Sequence, residues 1–68
     1  MKIDELHANA EAGSVPAQSV LGIAYLHGYE VPQDYEKAFR WLSLAAARGA
    51  SRSCAWLGTM FENGLTVP

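Results

Sequence analysis

The chain has 68 residues and a net charge of −2 without a basic stripe, which leaves room for one small domain and argues against nucleic acid as a partner. Cys54 is the single cysteine, so no internal disulfide can reinforce the fold, and no cluster of His and Cys points to a structural metal or any other cofactor. No apolar run approaches membrane-spanning length, and Lys2, Asp4 and Glu5 place charge where a signal peptide needs its apolar stretch, so the chain as written is expected in the cytoplasm.

Four helices are predicted from periodicity. The first runs from about Ile3 to Glu11, presents Ile3, Leu6 and Ala10 on one face, and stops at Gly13. The second spans about Val15 to His27, with Ser14 as N-cap, Pro16 tolerated in the first turn, and Leu21, Gly22 and Tyr25 on its face before Gly28 ends it. The third, about Asp34 to Arg48, is the most regular. Tyr35, Ala38, Phe39, Leu42, Ala45 and Ala46 form one apolar stripe, Asp34 caps it, Pro32 blocks upstream extension, and Gly49 closes it. The fourth covers about Ser51 to Asn63, with Ser51 as its cap, Leu57, Gly58 and Phe61 on its face, and Gly64 as the stop. Nothing alternates at period two, so no strand is expected. The short Gly- and Pro-bearing turns make sequential helices antiparallel neighbours.

The chain also repeats itself at an offset of 36. Leu6/Leu42, Ala10/Ala46, Gly13/Gly49, Leu21/Leu57, Gly22/Gly58, Gly28/Gly64, Val31/Val67 and Pro32/Pro68 are identical, and Tyr25/Phe61 is an aromatic exchange. A fixed period of this size belongs to a stacked helical array, which works by contact more often than by chemistry. Mid-helix Gly22 and Gly58 cost about 1 kcal/mol each relative to alanine. Their recurrence predicts close helix packing, in preference to a kink, with Ala10, Ala45 and Ala46 as the natural small opposites.

The run Leu21-Gly22-x-x-Tyr25-x-x-Gly28-x-x-Val31-x-x-Asp34-Tyr35-x-Lys37-Ala38-x-x-Trp41, followed by Ala45-Ala46-x-x-Gly49, resembles a Sel-one-like repeat. The resemblance implies a tetratricopeptide-like α/α solenoid built from helix–loop–helix units. On that reading the fold is all-α, a solenoid fragment of about four antiparallel helices and roughly one and a half 36-residue repeats. Residues 1–12 are the trailing helix of a preceding unit, 13–48 a complete repeat, and 49–68 the first half of the next. The family's loop carries a second glycine before the valine, and Glu30 and Thr66 stand in its place here. Because the pattern stops at Val67-Pro68, the chain reads either as an array truncated at its C-terminus or as one whose open end, around Trp56, Met60 and Phe61, is covered by another chain.

No catalytic constellation emerges. His7 and His27 lie on different helices without a carboxylate or cysteine at ligand spacing and read as surface or turn residues. Cys54 reads as a small buried thiol, and the serines lack an elbow motif. In the resembled family the first helix of each unit lines the concave face. That implies a partner surface drawn from Ser19, Ile23, Leu26, Trp56, Thr59 and Met60, with packing between helices the competing role for Trp56 and Trp41. The expected function is a non-catalytic interaction scaffold for a protein or peptide, with a homodimer through the open C-terminal end as one form. The alternative is an N-terminal capping fragment of a longer scaffold with no binding of its own.

Overall fold

A computed structural model describes residues 3–65. Among them are four helices and no strand: α1 (Ile3–Glu11), α2 (Val15–His27), α3 (Tyr35–Ala47) and α4 (Ser51–Glu62). The predicted limits agree to within a residue. The repeated Val67 and Pro68, and Thr66 at the second loop-glycine position, lie outside the described residues.

Local chemistry sets the ends. Ser14 is extended at the N-cap of α2 and accepts from the Ala17 N–H at 3.4 Å, while Asp34 caps α3 by accepting from the Lys37 N–H at 3.1 Å. Gly28 closes α2 in the left-handed region at φ +78°, and its N–H donates to the Ala24 carbonyl at 2.7 Å. The cap of α4 differs from expectation. Ala50, not Ser51, stands at the N-cap, and no side chain bonds the first turn. Ser51 is already inside the helix: the cap follows Gly49 directly, as Ser14 follows Gly13, and that position is Ala50 here.

The α2–α3 loop contains the one positive-φ residue other than glycine among those described, Glu30 at φ +60°. This is the position where the resembled loop carries glycine, and its geometry explains that preference: an L side chain in the left-handed region crowds its own carbonyl. The loop is held by the Asp34 N–H donating to the Tyr25 carbonyl and by Gln33 Nε2 donating to the Leu26 carbonyl, at 3.0 and 2.8 Å.

Helix α2 is the centre of the molecule. It packs against α1, α3 and α4, whereas the other helices each lack a neighbour on one side. Its sequence contains no Asp, Glu, Lys or Arg, as burial on several sides demands. Leu21 joins Leu42 and Met60 in a fully buried centre, ringed by Leu6, Ala10, Tyr25 and Leu26. Two buried polar bonds tie α2 to its flanks: Gln18 Nε2 donates to the Ala10 carbonyl at 3.1 Å, and the Ser19 and Ser53 hydroxyls share a bond of 2.7 Å.

Close glycine packing holds at one of its two expected places. A Cβ built on Gly22 would stand 2.7 Å from Leu42 Cγ, so α3 passes against bare backbone there, with a leucine opposite in place of the expected alanines. At Gly58 the same Cβ meets nothing within 4 Å.

Candidate functional site

A concavity lies between α1 and α2, a groove of about 580 Å³. Ile3 and Leu6 of α1 form one wall, and Ala17, Val20, Ile23 and Ala24 of α2 form the other. Asn9, Ser14, Pro16, Tyr29, Glu30 and Arg52 complete the lining. Val20 is 46 % exposed within an otherwise apolar wall, an arrangement suited to receiving an apolar side chain.

The six predicted partner residues do not share one surface. Ile23 lies half-buried in the α1–α2 groove. Trp56 and exposed Thr59 line a smaller depression of about 240 Å³ beside His27 and Tyr35. The off-core placement of Ser19 and Leu26 is corrected, since both are buried, and Met60, expected at the border of the core, is buried completely. Ser19 meets Ser53 across the α2–α4 contact, while Leu26 and Met60 join the central cluster and form the floor of the depression that Trp56 and Thr59 line. Trp56 packs edge-on against the His27 ring with centroids 5.0 Å apart, and remains half-buried.

Other readings also change. Cys54 is exposed, not buried, since among the described residues no helix packs on α4 as α3 packs on α2. Phe61, the counterpart of buried Tyr25, touches Phe39 edge-on yet is 61 % exposed for the same reason. His7 is neither bare nor remote from a carboxylate. Its Nε2 lies 2.8 Å from the Tyr25 hydroxyl, its Nδ1 lies 3.8 Å from Glu11 Oε1 one turn on, and its ring meets Trp41 edge-on. These contacts join α1, α2 and α3. The absence of acidic residues from Tyr25's own helix and the i,i+4 spacing of His7 and Glu11 were the available signals, but the eighteen-residue separation of His7 from Tyr25 carries none. Among the described residues no three His, Cys, Asp or Glu side chains gather as metal ligands would.

The Sel1 repeat model matches residues 15–49 and, in a shorter second stretch, 51–68, together most of the chain. The chain belongs to the Sel1 repeat family. No curated protein and no solved structure matches it significantly. Sel1 repeats are helical solenoid units, generally serve as scaffolds for protein interactions, and are typically non-catalytic. In Sel1 terms α2 and α4 are the first helices of successive units, and α3 is the second helix of the unit that α2 begins.

Proposed function

We propose that this Sel1-repeat chain is a non-catalytic interaction module that seats a helical segment of a protein partner in the α1–α2 groove. One observation carries the reading. Leu6, Ala17 and Val20 of the groove are the repeat counterparts of Leu42, Ser53 and Trp56, the residues on which α2 itself rests. The groove therefore has the form of a surface that already holds a helix elsewhere in the same molecule. The test is to select amphipathic helices from a displayed library against the folded chain and then challenge them with Val20→Arg. Retained helices should weaken at least about tenfold, the loss of one apolar contact at a binding centre, at unchanged circular dichroism. Binding indifferent to Val20→Arg would place the site elsewhere.

A capping role is the second reading, and it too has an observation. Glu5 and Asn9 are exposed on α1 where their counterparts Trp41 and Ala45 on α3 are half-buried and buried. A half-polar outer face suits a helix that closes a solenoid. Under this reading no displayed helix is retained by the groove.

A further inference from the structure

Three contacts seat α2 on α3 and α4: Gly22 lies against Leu42, the Ser19 hydroxyl bonds that of Ser53, and the His27 ring meets Trp56. Moved back by the repeat offset, Leu42, Ser53 and Trp56 become Leu6, Ala17 and Val20, and all three line the α1–α2 groove. Moved forward, Gly22, Ser19 and His27 become Gly58, Ala55 and Asn63, and all three are exposed on α4 or at its C-terminal end. Among the described residues the molecule thus carries both halves of a contact it makes internally, unused, at opposite ends of the helix order. The serine pair is replaced by Ala55 and Ala17, so no hydroxyl would be stranded in the transposed contact.

We infer that the occupant of the α1–α2 groove is α4 of a second copy of this chain, with Gly58 of one copy crossing Leu6 of the next as Gly22 crosses Leu42. This rests on the groove being a helix seat. It gives Gly58 a purpose that the single chain does not: a glycine in an exposed helix interior is unfavourable, and its Cβ position faces empty space. The contact is heterologous, so it does not saturate at two copies. Glu5 and Asn9, polar where their counterparts Trp41 and Ala45 are apolar and at least half-buried, make it weak and reversible.

Light scattering behind size exclusion tests this with three proteins. Gly58→Leu blocks the α4 face and fills only open space in its own chain, and Val20→Arg blocks the groove at an exposed site. Wild type should gain mass with concentration and pass beyond a dimer. Each variant alone should be monomeric, at helicity equal to wild type. Their equimolar mixture should form a one-to-one dimer and stop, because only one competent pair of ends remains. Val20→Arg alone associating as strongly as wild type would overturn the proposal in favour of an α4–α4 contact, and a monomeric mixture would overturn it outright. A monomeric wild type whose groove still retains a displayed helix, lost in Val20→Arg, would overturn the second copy as occupant and leave the interaction module standing. Loss of both would remove the groove reading as well.

Discussion

Gly22 and Leu42 meet so closely that a single added carbon on the glycine would stand 2.7 Å from Leu42 Cγ and 3.2 Å from the Leu42 backbone nitrogen. Because the backbone of α3 is part of the obstacle, rotating the leucine does not relieve it. Gly22→Ala should therefore destabilise the chain by about 1–3 kcal/mol through overpacking, despite the helix propensity of alanine. Gly22→Leu should abolish cooperative unfolding.

Gly58→Ala should act with the opposite sign. Its Cβ meets nothing within 4 Å, so only helix propensity remains and stability should rise by about 1 kcal/mol. Urea unfolding of the two alanine variants side by side reads both signs. Equal destabilisation would mean that Gly58 is packed in the isolated chain.

Glu30→Gly should stabilise the chain. The residue holds φ +60° at a cost of about 1–2 kcal/mol for a side chain in that region. Glycine removes that strain and gives back part of it as unfolded-state entropy, about 0.4–1 kcal/mol. A net rise of about 0.5–1 kcal/mol in urea unfolding is expected, and a loss would mean that Glu30 makes a contact worth more than its strain.

The N-caps of α3 and α4 form a contrasting pair. Asp34→Ala should cost about 1 kcal/mol by leaving the Lys37 N–H without its side-chain acceptor. Ala50→Asp should add up to about that much, since α4 begins without a side-chain cap. Thermal melts of both variants should shift in opposite directions.

Ser19 and Ser53 should behave as one unit. Either serine changed to alanine leaves a buried hydroxyl unpaired, at about 1–3 kcal/mol. The double variant should cost less than the sum of the singles, by about 0.5 kcal/mol or more in a double-mutant cycle. Additive losses would show that the hydroxyls are satisfied independently.

Helix positions, all four terminating glycines and the Ser14 and Asp34 caps were readable because each depends on local backbone chemistry. Which faces lie buried was harder. Periodicity shows which residues share a side of a helix, but not how many sides are covered. Helix α2 has neighbours on three flanks, so Ser19 and Leu26, peripheral by stripe, lie inside. Helix α4 repeats the α2 pattern with one flank open, so Cys54, Gly58 and Phe61 stand exposed where Gln18, Gly22 and Tyr25 are buried. The uncharged sequence of α2 signals this difference, since Arg52 and Glu62 interrupt the same stretch in α4.

The central claim is that the α1–α2 groove is a seat for a helix of the α2 and α4 type. A peptide spanning residues 50–64, titrated into the nitrogen-15-labelled chain, tests it most directly. Amide shifts at Leu6, Ala17, Val20 and Ile23 that saturate together, and that Val20→Arg abolishes, are the expected result. Shifts confined to α4, or none at concentrations approaching the millimolar range, would contradict it.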